Sequence, residues 1–160
     1  MNCSAEDAGM TSALVSECSD TLESLSIGYL SSGAFPSVFA IGRNLTTVHM
    51  RVPGTVSFLI DLSKVTKLKD VEFALQWWDV QWVTSTLRTA KPETLRNITV
   101  SVPAIFTEEI SEAVQQEWRE LNGLLTQLWT SHSVRSEIDL TRWRGRKERS
   151  WAERITRGQI

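Results

Sequence analysis

The sequence has only two cysteines, Cys3 and Cys18, in 160 residues. That is too few for a disulfide scaffold of this size, so a reducing cytoplasmic or nuclear compartment is expected. The N-x-S/T triplets at Asn2, Asn44 and Asn97 then read as unglycosylated coincidences. Long apolar runs are lacking too: the longest, over 34–42, is about half of the roughly 18 residues a membrane span needs. The first nine residues carry Glu6 and Asp7 but no base, which excludes a signal peptide pattern. Neither G-x-G-x-x-G nor G-x-x-x-x-G-K-[ST] occurs, so no phosphate-cradling loop is expected. G-x-S-x-G and H-E-x-x-H are also missing, and with them the usual nucleophile elbow and zinc helix. No cofactor, metal or catalytic residue is expected from these absences, and the chain reads as a non-enzyme. What is present, 41% hydrophobic and 22% charged residues, fits one ordinary globular domain.

The formal net charge of −2 conceals an asymmetry. Residues 142–160 hold seven bases (Arg142, Arg144, Arg146, Lys147, Arg149, Arg154 and Arg157) against Glu148 and Glu153, a tail of +5 that leaves −7 for the rest. Residues 1–21 hold Glu6, Asp7, Glu17 and Asp20 and no base. Three parts are thus expected: an acidic segment 1–21 with a short covering helix near 11–19, a body over 22–141, and a basic tail over 142–160.

The body repeats itself. Leucine followed three and five positions on by a branched residue, Met or Phe occurs at Leu22-Glu-Ser-Leu25-Ser-Ile27, Leu45-Thr-Thr-Val48-His-Met50, Leu68-Lys-Asp-Val71-Glu-Phe73 and Leu95-Arg-Asn-Ile98-Thr-Val100. Random order of the same composition would give roughly one match. The four begin 23, 23 and 27 residues apart, inside the range of roughly 20–29 of leucine-rich repeats. Each hexad suits a short strand that alternates inward and outward residues. Apolar periodicity predicts a helix over 56–65, with Phe58, Leu59, Leu62 and Val65 on one face, and another over 80–90, with Val83, Leu87 and Ala90 on one face. Pro36 to Arg43 could supply a shorter turn. Strand, return helix and next parallel strand, repeated, give an α/β leucine-rich-repeat solenoid: parallel strands in sequential order, helices on the convex side.

The fourth return is longer. Ile110, Val114, Trp118, Leu121, Leu125 and Leu128 form one amphipathic stripe, so a capping helix over about 107–132 is expected, with Thr107 as N-cap and the 129–133 run with Arg135 closing it. His132 is expected to bond the last carbonyls. A final strand over 137–141 would point Ile138 and Leu140 inward. The solenoid's first strand leaves an edge to be covered, by the helix near 11–19, by self-association with a second copy, or by strand addition from another protein.

The outward strand residues should stack in columns on the concave face: Ser24, Thr47, Asp70, Asn97 and Glu137; Ser26, His49, Glu72, Thr99 and Asp139; Gly28, Arg51, Ala74 and Ser101. Thr47, His49, Arg51, Asp70, Glu72, Asn97 and Thr99 are the candidate protein-binding residues, with Arg51 the best single anchor. His49 beside Glu72 reads as a surface ion pair. Most tryptophans read as packing residues, Trp118 on the long helix and Trp77, Trp78 and Trp82 around the third crossover. Trp143 and Trp151 sit in the tail, where Arg142, Arg144, Arg146, Lys147 and Arg149 are candidate anion-binding residues for an acidic protein, anionic lipid or nucleic-acid phosphates, the alternative to recognition by the concave face. Of these, nucleic acid is the least expected, since no base-reading motif accompanies the tail.

The stretches TLESLSIGYL, LIDLSKVTKLKDVEFAL, VQWVTSTL, LRNITV and VQQEWRELNGLLTQLWTSHSVR, within residues 12–141, resemble the C-terminal part of leucine-rich-repeat, F-box-like proteins of mushroom-forming (basidiomycete) fungi. The F-box itself is not visible, and Ser12-Ala-Leu-Val-Ser-Glu-Cys18 looks like the closing helix of an earlier repeat. The resemblance implies repeats that select a protein for a ubiquitin ligase recruited by an F-box.

Overall fold

The structure, a computed structural model, describes residues 2–3, 17–28, 44–51, 59–76, 79–102 and 111–139. Within them the chain is α/β. The hexads do form strands: β2 (Ser24–Gly28), β3 (Thr47–Arg51), β4 (Asp70–Ala74) and β5 (Asn97–Ser101), preceded by a two-residue β1 (Asn2–Cys3) and followed by β6 (Arg135–Asp139). All pairings are parallel, in the order β1-β2-β3-β4-β5-β6.

The register explains the spacing of the motif. Val48, Val71 and Ile98 lie side by side, as do Ile27, Met50, Phe73 and Val100, and all are buried. Each leading leucine (Leu45, Leu68, Leu95) is buried just before its strand. Side chains two apart point to one face of a strand, so one slip in register would turn these columns into water. Main-chain bonds at the strand starts repeat the same step: Thr47 N–H donates to Glu23 O, Asp70 to Thr46 O, Asn97 to Lys69 O and Arg135 to Arg96 O, at 2.8–3.1 Å.

Among the described residues two helices cover the buried face, α1 (Val80–Leu87) and α2 (Glu112–His132). Val80, Trp82, Val83 and Leu87 of α1 are buried, and Trp82 meets Phe73 edge to face at 5.9 Å between ring centres. Ala90 is partly buried, three residues past the helix end. Trp118, Leu121, Leu125 and Leu128 form the buried stripe of α2. The N-cap described for α2 is Ser111, whose Oγ accepts from Val114 N–H; Thr107 and Ile110 lie outside the described residues. At the other end Ser133 adopts a left-handed conformation (φ 57°), and the N–H groups of Ser133 and Val134 reach Trp129 and Leu128 carbonyls. Main-chain donors thus take the carbonyls expected to bond His132.

Three expectations change. The helix over 56–65 is not formed in its described part. Residues 59–61 are irregular and Leu62–Lys64 is a single 3-10 turn. Asp61 accepts from Ser63 N–H, and the Thr89 hydroxyl accepts from Leu62 N–H. These side-chain acceptors offer the backbone bonds that compete with helix. Ile60, Leu62 and Val65 are buried while Leu59 is half exposed, so the expected helical face does not exist. Phe58 is outside the described residues. Secondly, β6 starts at Arg135, two residues before the expected strand, because the left-handed turn at Ser133 delivers Val134 to the core directly. Arg135, Glu137 and Asp139 therefore stand beside Asn97, Thr99 and Ser101. Glu137 and Asp139 each move one column over from their expected places, and Leu140 is outside the described residues. Thirdly, at the opposite edge Asn2 and Cys3 pair with Ser26 and Ile27. Of the covering helix near 11–19, only 17–19 is described, with Glu17 helical and a turn following.

Phe73 carries the joint between sheet and α1, so Phe73→Ala is expected to cost about 3–5 kcal/mol in chemical denaturation. Thr99→Ala, on the outward face, should stay within about 0.5 kcal/mol.

Candidate functional site

The outward face of the sheet collects the residues selected from the sequence. Thr47, Asp70 and Asn97 form one column with Arg135; Ser26, His49, Glu72, Thr99 and Glu137 form the next; Gly28, Arg51, Ala74, Ser101 and Asp139 form the third. Two cross-strand contacts order it. The His49 Nδ1 lies 2.7 Å from Glu72 Oε2, and the Asn97 amide donates to Asp70 Oδ1. Both His49 and Glu72 keep over a third of their side chains exposed (44% and 40%), so the pair is worth about 0–1 kcal/mol and acts as an orienting contact. Arg51 is exposed at the end of β3.

Ser26, His49 and Glu72 follow one another across three strands, the residue types of an acyl-transfer triad. The serine beside His49, which motif absence alone had discounted, is thus supplied by register. Its hydroxyl makes no hydrogen bond to the ring among the described contacts. The strands' main-chain groups at these positions lie within the sheet ladder rather than converging on a nascent oxyanion. Among the described residues no group of three or more His, Cys, Asp or Glu is placed to hold a metal.

One feature of this face is not apparent from the repeats. A cleft of about 720 Å³ lies at its β5–β6 end, lined by Asn97, Thr99, Trp129, Arg135, Ser136 and Glu137. Trp129 follows the buried Leu128 by one helical step, which turns it off the stripe and leaves it 65% exposed. Trp118 and Trp82, by contrast, are core residues. The four-three rhythm of the α2 stripe excludes position 129, and that was the available signal. Arg142, Arg144, Arg146, Lys147 and Arg149, like Trp77, Trp78, Trp143 and Trp151, lie outside the described residues. No helix among the described residues is long and apolar enough to cross a membrane.

A second cluster is buried. Asp79, 5% exposed, precedes α1 without capping it, and its Oδ2 has no hydrogen-bond partner; neither has Oε2 of Glu117 on α2. Burial pushes the Asp79 carboxyl up to about 6; the Glu117 charge adds to this and a hydrogen bond from the Gln76 main chain opposes it. Glu117 is also raised, first by burial and then by Glu120, which lies 3.9 Å from Arg88. The unfolded chain releases the Asp79 proton near 3.8 and the fold holds it to about 6. The protonated carboxyl therefore contributes stability that is full below 3.8 and lost as pH rises through about 6. Asp79→Asn is expected to raise the Tm at pH 7, by on the order of 1–3 kcal/mol of stability, and to flatten the fall between pH 4 and 6.5 in thermal scans.

Comparison with models of known protein families, with curated proteins and with solved structures found no match.

Proposed function

We propose that this chain is part of a leucine-rich-repeat solenoid that recognises another protein through its outward strand face, without chemistry of its own. The observation that carries the reading is the residue-for-residue parallel ladder from Ser24 to Asp139, which recurs at motif spacing and stacks mixed polar side chains in three columns. A rigid sheet presenting ordered hydrogen-bonding groups suits docking by shape and polarity, with Arg51 and the half-exposed His49–Glu72 pair near its middle. Following the resemblance to F-box-like fungal proteins, the partner is a protein selected for ubiquitin transfer, in the cytoplasm or nucleus. The other reading of the sequence is anion binding by the basic tail.

Affinity capture with quantitative mass spectrometry separates these. Proteins held by the outward face should be lost, about tenfold or more, from the Arg51→Glu, Glu72→Lys double variant, and kept after deletion of residues 142–160. Capture that vanishes with the deletion and weakens steeply with salt would transfer the function to the tail. Hydrolysis of p-nitrophenyl esters should stay at background; turnover abolished by both Ser26→Ala and His49→Ala would overturn the non-catalytic reading.

A further inference from the structure

The cleft at the β5–β6 end points to the kind of segment such a partner presents. We propose that it takes an extended peptide carrying one acidic and one basic residue two positions apart, which pair with Arg135 and Glu137, while a neighbouring apolar residue covers the Trp129 indole. The inference rests on the protein-recognition reading and adds to it the chemistry of the partner.

Arg135 and Glu137 are both exposed on β6, and neither side chain has a hydrogen-bond or ion-pair partner among the described contacts. They are two apart on one strand, which sets their side chains roughly 6.6–6.8 Å apart on one face. Any other extended chain lying along β6 has the same spacing, so a complementary pair of charges meets both groups at once, whichever way the chain runs. A like-charged pair satisfies one group and is repelled by the other. A phosphate polymer fits poorly for that reason, and Asp70 and Glu72 on β4, beyond β5, add further negative charge to the face.

The remaining walls suit main chain rather than more charge. Asn97 already donates to Asp70, which fixes that end of the floor. The Thr99 hydroxyl, able to donate and accept, stands beside Glu137 on the same face and meets a chain whose N–H and C=O groups need partners, while Ser136 lines the cleft from the strand edge. Trp129 supplies the flat apolar surface, the residue type that most often anchors protein interfaces along with arginine. At about 720 Å³ and open along one side, the cleft has the form of a shallow groove that a peptide segment can lie in.

The test uses the whole chain and fluorescein-labelled capped heptapeptides with identical leucine-containing flanks and cores Asp-Ala-Lys, Lys-Ala-Lys or Asp-Ala-Asp, followed by fluorescence anisotropy at low salt. The wild type should prefer the mixed core by about three- to tenfold. Arg135→Glu should move the preference to Lys-Ala-Lys, and Glu137→Arg should move it to Asp-Ala-Asp. Trp129→Ala should weaken all three by about tenfold. All three positions are exposed, and circular dichroism checks that each variant is folded. Equal binding of the three peptides, no binding by the wild type, or preferences that ignore the substitutions would overturn the proposal. If these fail while partner capture still responds to the Arg51→Glu, Glu72→Lys double variant, the cleft assignment falls and the broader reading stands. If capture ignores the double variant and vanishes with deletion of residues 142–160, the broader reading falls, whatever the peptides show.

Discussion

Every other feature of this chain depends on the in-register stacking of apolar columns. Val48, Val71 and Ile98 occupy equivalent places on three neighbouring strands, and Met50, Phe73 and Val100 do the same two residues on. The alternation that buries these six side chains forces the intervening residues outward. The polar columns are therefore a consequence of the core, not a separate design, and their spacing is fixed as firmly as the packing that opposes them. The bonds from Thr47, Asp70, Asn97 and Arg135 to the residue just before the neighbouring strand hold that spacing where each strand begins.

The strands from Ser24 to Ser101 were legible because one local rule, leucine and then two apolar residues at fixed offsets, expresses burial on one face of a strand. Helix α1 and the stripe of α2 were legible for the corresponding helical reason. The connection through Asp61 was not, since a side-chain acceptor two residues from its donor diverted a stretch whose apolar spacing suits a helix. Nor was the start of β6. A left-handed residue at Ser133 shortens the path from helix to strand, and periodicity carries no information about that backbone choice.

The face itself was largely readable, as Thr47, His49, Arg51, Asp70, Glu72, Asn97 and Thr99 do lie together. Its exposed aromatic ring was less so. Trp129 belongs to α2, whose main duty is to cover the core, and it meets the face only because α2 ends where β6 begins. Displacement of β6 by two residues then set Arg135, rather than Glu137, beside Asn97. A shift of two positions in one strand was enough to hide that Trp129, Arg135 and Glu137 line one cleft.

The ladder also determines how this chain can reach its folded state. Partners on adjacent strands are separated by 24 residues from Asn2 to Ser26, 23 from Ser24 to Thr47 and again to Asp70, 27 to Asn97 and 38 to Arg135. Loop-closure entropy grows only with the logarithm of length, so each rung costs nearly the same to add as the one before. No strand waits for a distant part of the sequence. Strands added in chain order thus keep the topological cost of this parallel sheet below that of one whose strand order is shuffled.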